Sequence, residues 1–109
     1  MQQTISFLPG FEFETDGQFV SLNAVSDACN LYRLNNGLRF RPLGNLTGPN
    51  IFKEFVKKVE EEFGLEKGVY IIGGGNYRKT MAHHAVAAYI IEEYAPGLRI
   101  AMLKKALSI

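Results

Sequence analysis

The stretch that most constrains this chain runs Gly73-Gly74-Gly75-Asn76-Tyr77-Arg78-Lys79-Thr80-Met81-Ala82-His83-His84-Ala85-Val86-Ala87. It follows directly on the β-branched run Val69 to Ile72. Three glycines and an Asn cannot continue a strand, so the chain must turn there. A second strand near Thr80–Ala82 and a helix opened by His83 complete the pattern. Strand, glycine-rich basic tip, strand and helix is the expected layout of a small β-hairpin wing packed beside a helix. Such a layout is a first pointer to nucleic acid.

The hairpin sits in a chain of 109 residues, 47% of them apolar, with eight Phe and five Tyr. That length predicts one domain, residues 1–109, and the apolar content suffices for a real core without a disulfide framework. Cys29 is the lone cysteine. It excludes an internal disulfide and a cysteine-built zinc site, fits a reducing cytosol, and is expected inside a helix as a small buried apolar side chain. The chain has no long apolar run and no basic segment leading into a hydrophobic one. Neither a membrane span nor a secretory signal is therefore expected.

Ile5, Phe7, Phe11, Phe13 and Phe19 alternate with polar residues, which predicts strands over residues 3–22, with turns at Pro9-Gly10 and Asp16-Gly17. Ser21 is placed to cap a helix from Leu22-Asn23 that carries Ala24, Val25, Ala28 and Leu31-Tyr32. Residues 35–50 hold three Gly, two Pro and four Asn and read as a loop. Pro49 suits the first turn of a helix from Asn50 to Phe63, whose inward stripe reads Ile51, Phe52, Phe55, Val56, Val59 and Phe63, with Gly64 at its end. A helix from His83 to about Tyr94 is expected to bury Val86, Ala87, Ile90 and Tyr94. Pro96-Gly97 breaks it, and a last helix, Leu98 to Leu107, is expected to turn Ile100, Leu103 and Leu107 inward and Lys104-Lys105 outward. The fold class is α+β, a small antiparallel sheet with a β-hairpin wing on about four helices.

In this frame particular residues resemble the KilA-N family. Asp16-Gly17-Gln18-Phe19-Val20-Ser21-Leu22-Asn23-Ala24 resembles its opening, a strand running into an Asn-Ala helix start. Gly74-Gly75, Thr80, His83, Val86-Ala87 and Ala95-Pro96-Gly97-Leu98 resemble its close, in order, over roughly residues 15–108. The chain departs from the pattern at Met81-Ala82 and near Glu93, where the family has Trp, at His84, where it has Pro, and at Val25, where Asn-Ala-Thr is usual. The resemblance to this phage, bacterial and viral family, itself similar to fungal APSES domains, implies a winged-helix-like DNA-binding fold. It also implies a phage or prophage source and the bacterial host cytoplasm as the setting.

Charge is unevenly spread although the net value is only +1. Residues 1–30 carry four acids and no base, residues 31–58 six bases against Glu54, and Glu60, Glu61, Glu62 and Glu66 follow with Lys67. A nearly neutral protein can thus present a basic face. The candidate contacts to double-stranded DNA are Lys53 and Lys57, one stripe of a helix, and Asn76, Tyr77, Arg78 and Lys79 of the wing, with Arg39 and Arg41 behind them. The three glutamates after Lys58 would have to turn away, and Arg39 and Arg41 could instead pair with the acidic N-terminal strands. The bland reading of the tip is an ordinary hairpin, and of the lysines a solvated helix face. Gly73-Gly74-Gly75 with Lys79-Thr80 lacks Walker spacing, because a strand follows it and not a helix. His83-His84 lacks the partners of a metal site and is expected to cap the helix. No arrangement of catalytic residues, metal or cofactor is indicated. The rival reading is a binding module for a host or defence protein that uses the acidic surface as a mimic of DNA; a homodimer through the C-terminal helix, ending in Leu107 and Ile109, is a third.

Overall fold

The computed structural model describes residues 3–109. Strands β1 (Gln3–Leu8), β2 (Phe11–Thr15) and β3 (Phe19–Ser21) lead into helix α1 (Leu22–Asn35); a single turn α2 (Gly44–Thr47) precedes α3 (Asn50–Phe63). Strands β4 (Val69–Ile72) and β5 (Lys79–His83) form the wing, and α4 (His84–Tyr94) and α5 (Pro96–Leu107) close the chain. The result is α+β, as the alternation of patterns predicts. The strands divide into two antiparallel sheets, β1-β2 and β3-β5-β4. No helix among the described residues is long and apolar enough to cross a membrane.

Hairpin β1-β2 pairs Thr4 with Glu14, Ile5 with Phe13 and Ser6 with Glu12. A bulge between Ser6 and Leu8 then breaks the alternation. It lets the consecutive Phe7 and Leu8 both bury, joined by Phe11 and Phe13. Asp16-Gly17 does not make the second hairpin that its sequence suggests. Asp16 Oδ1 instead accepts from the backbone of Gln18 at 3.2 Å and Phe19 at 3.0 Å, an Asx turn that swings the chain out of the first sheet. There β3 pairs with β5, Phe19 opposite His83 and Ser21 opposite Met81.

Ser21 caps α1, its hydroxyl accepting from Ala24 N. The buried face of α1 is Leu22, Val25, Ser26, Cys29 and Asn30. Leu31, expected to continue that face, is 60% exposed. α1 lies against α4, whose Val86, Ala87, Ile90, Ile91 and Tyr94 are buried. The Tyr94 hydroxyl hydrogen-bonds Ser26 Oγ at 2.6 Å, so a polar pair inside the core is satisfied.

Helices α3 and α5 depart from their expected start and inward face. Pro49 stands just before α3 as its N-cap, and Pro96 opens α5 at its first turn, where a missing N–H costs nothing. On α3, Ile51 and Phe63 are exposed, because only the strip through Phe52 and Val59 meets the core. On α5 the inward face is Leu98, Ala101 and Met102, while Ile100, Leu103 and Leu107 face outward. Both faces of α5 satisfy the helical period. The contact with β1 decides between them: Lys105 Nζ donates to Ser6 O at 3.1 Å and Phe7 O at 2.8 Å, which draws Lys105 against the first hairpin.

Candidate nucleic-acid interface

The wing is held from three sides. The register Val69–Ala82, Tyr70–Met81, Ile71–Thr80 and Ile72–Lys79 joins its strands. One pair below the tip, Asn23 of α1 accepts from Thr80 N through Oδ1 at 2.9 Å, a role for the Asn of the Asn-Ala pair that pattern reading does not supply. His83 ends β5 and caps α4, its Nδ1 accepting from Ala85 N at 3.1 Å. The same imidazole packs against Phe63 and Phe19, with ring centroids 4.4 and 5.9 Å away. His84 Nε2 hydrogen-bonds Thr15 Oγ1 at 2.8 Å. Burial pushes both imidazoles below their ordinary value; for His84 the neighbouring His83 adds to this and Asp16 opposes it. Both histidines are built into the fold, and among the described residues no three His, Cys, Asp or Glu side chains gather as a metal site.

At the tip, Gly73 and Gly75 take φ values of +73° and +57°. Gly75 to Tyr77 form a short 3-10 turn in place of a two-residue hairpin turn. Asn76 and Tyr77 therefore stand at the end of the wing, Tyr77 86% exposed.

Between the wing and α3 lies a groove of about 740 Å³. Phe55 stacks on Tyr89 of α4 at 4.6 Å and Phe52 meets the same ring at 6.0 Å, which fixes the rotation of α3. Lys53 and Lys57, four residues apart and hence on one face, then line the groove. Arg78 and Thr80 line it from the wing, Lys67 from the link between α3 and β4, and Phe52, Val56, Val69 and Ile71 supply its apolar wall. Lys67 was not legible as a contact, since in sequence it only offsets the acids around it. None of the four cations is in an ion pair among the described residues; the pairs there are Lys58–Glu61 and Arg99–Glu93.

The glutamates of α3 behave differently from one another. Glu60 does line the groove, but its Oε2 accepts from Gly68 N at 2.8 Å, and so it ties α3 to the start of β4. Glu61 pairs with Lys58 outside the groove, and Glu62 lies about 180° round the helix from Lys53.

The remaining candidates fall elsewhere. Lys79 is on the other face of the wing, in a cleft of about 510 Å³ with Gln3, Glu14, Thr15, Asp16, Ser21, Ile72 and Met81. Arg41 is bound into the fold: its Nη1 donates to Glu93 O at 2.8 Å and its N–H to Asn30 Oδ1 at 2.7 Å. Arg33 Nη1 donates to Tyr94 O at 2.6 Å, and its Nε to Arg39 O at 2.7 Å. The two guanidiniums thus satisfy the last carbonyls of α4, where positive charge is favoured. Arg41 reaches α4 and not the acidic hairpin that sequence offers as its partner. Arg39 stays exposed beside Phe40, away from the groove. Compared with known proteins, the chain matches no family model, no curated protein and no solved structure.

Proposed function

We propose that this chain is a non-catalytic duplex-DNA-binding domain of the KilA-N kind, a phage or prophage regulator working in the bacterial cytoplasm. The observation that carries the reading is the groove. Lys53, Lys57, Lys67 and Arg78 come from three separate segments and converge on one concave surface without acidic partners among the described residues. Four cations against the one carboxylate of Glu60 around a groove suit a polyanion better than a small ligand, which would need fewer of them. Lys and Arg would fix register on phosphates, and Asn76 and Tyr77, exposed at the tip, are the residues proposed to meet base edges.

The test is fluorescence anisotropy on mixed-sequence duplex DNA at low salt. Lys53→Ala/Lys57→Ala is expected to weaken binding at least tenfold, while Lys104→Ala on α5 leaves it unchanged. Equal loss in both variants, or no binding by the wild type, would sink the reading. One observation favours a protein partner instead. Glu12 and Glu14 share the outward face of the first hairpin, opposite Ser6 and Thr4. If DNA is not bound, a host or defence protein with a basic surface is the partner to seek through that face.

A further inference from the structure

Strand β4 is an outer strand of its sheet, with β5 along one side and no further strand beside it among the described residues. His83 N donates to Gly68 O at 2.9 Å, and Thr80 N turns away from β4 to Asn23. The ladder bonds of this antiparallel pair therefore fall at Tyr70–Met81 and Ile72–Lys79. The N–H and C=O groups of Val69 and Ile71 point the other way, to the open side of the strand. That side belongs to the groove beside α3. Consecutive strand residues send side chains to opposite faces, so a groove lined by Val69, Tyr70 and Ile71 together reaches the strand's edge. Open edges are commonly blunted by a proline or a bulge, and β4 has neither. Charge is the guard that remains.

We propose that the groove takes an extended acidic segment of another protein, which adds to β4 as a further strand. The cations select its chemistry. Lys67 stands just before β4, Arg78 beside its far end, and Lys53 and Lys57 line the groove from α3. The carboxylate of Glu60 is already engaged by Gly68 N. A second copy of this chain pairing β4 with β4 would set Lys67 and Arg78 against like charges, whereas an acidic strand is attracted at both ends. Alternate side chains of the added strand face α3, so acids at every second position meet the lysines while its backbone bonds Val69 and Ile71. Phosphate oxygens accept and do not donate. The open carbonyls of Val69 and Ile71 thus suit a peptide, and duplex DNA has no use for them. This role of β4 does not depend on the DNA reading, although both ligands would draw on the same lysines.

The probe is a labelled peptide of about six residues alternating Glu and Thr, enough to span β4 at about 3.3 Å per residue. Anisotropy at low salt is expected to show binding that weakens when Gln replaces Glu, or in Lys53→Ala/Lys57→Ala. Two N-methylated forms separate strand pairing from charge, one methylated at the Glu amides and one at the Thr amides. Alternate amides of a strand point to the same side, so one form should lose at least about tenfold in affinity and the other keep most of it. Amide exchange at Val69 and Ile71 should be fast in the free protein and slow in the complex, with Tyr70 slow in both. Equal affinity of the two methylated forms, exchange at Val69 and Ile71 that the peptide leaves unchanged, or no binding of the parent peptide would each overturn the assignment of β4. Those outcomes would leave the DNA reading standing, since binding to a duplex is measured separately.

Discussion

Alanine placed in turn at Gly73, Gly74 and Gly75 should give three different results, although the residues are adjacent. Gly74 has an extended backbone with φ of −155°, and an added Cβ there meets nothing within 4 Å. Gly74→Ala should be neutral or stabilising by up to about 1 kcal/mol, because alanine restricts the unfolded chain. Gly75 is left-handed at φ +57° but also open. Its substitution carries only the left-handed cost of about 1–2 kcal/mol, partly offset by the same unfolded-state gain. Gly73 combines φ +73° with a Cβ position 2.6 Å from Tyr77 O. A backbone oxygen at that distance cannot rotate away, so Gly73→Ala should cost about 2–4 kcal/mol or force the tip to reopen. For a chain of this size about 1 kcal/mol moves Tm by about 4 °C. Thermal unfolding should therefore rank the variants Gly74, Gly75, Gly73 in increasing damage. Amide exchange at Tyr77 and Arg78 should report whether the loss at Gly73 is global or confined to the tip. A neutral Gly73→Ala, or a Gly74→Ala as damaging as it, would refute this description of the tip.

Acid should destabilise the fold. His83 and His84 are held below the ordinary value of 6.5, so the unfolded chain binds more protons between the folded values and 6.5. Stability is then full above about 6.5 and falls as pH drops below it; urea midpoints from pH 8 to 5 would show this, and a flat profile would contradict it. Burial pushes the Cys29 thiol up to about 12, so a thiol-specific disulfide reagent at pH 8 should leave the native protein unlabelled and label it fully in denaturant. Asn30 holds Arg41 at both backbone atoms, accepting at 2.7 Å and donating at 3.0 Å. Asn30→Ala should cost about 1–3 kcal/mol in denaturant unfolding, and a loss under about 0.5 kcal/mol would show that the loop does not depend on it.

The parts of this molecule that the sequence makes legible are those decided locally. The glycine tip, the Ser21 cap, the Gly64 stop and the limits of α3 follow from backbone and helical rules that act within a few residues. His83 as a cap also belongs here. What escapes is decided by distant partners. Asp16-Gly17 reads as a hairpin because nothing near it reveals that β3 pairs with β5, more than sixty residues on. The two faces of α5 are equally periodic, and Lys105 reaching β1 selects between them. Arg41 and Lys53 look alike as isolated cations. Only the fold shows that one satisfies the end of α4 and the other lines the groove beside Arg78. Lys67 gives no sequence signal, since its role depends on where the link after α3 runs.

The most direct measurement is the salt dependence of binding to a mixed-sequence duplex. Lys53, Lys57, Lys67 and Arg78 of the groove make four phosphate contacts in this account. The slope of log K against log salt should be about −3.6, an affinity loss of about 150-fold between 50 and 200 mM. Lys53→Ala/Lys57→Ala should reduce the slope to about −1.8. A slope that the double variant leaves unchanged would place any DNA contact outside the groove, and no binding at the lowest salt would contradict the account altogether.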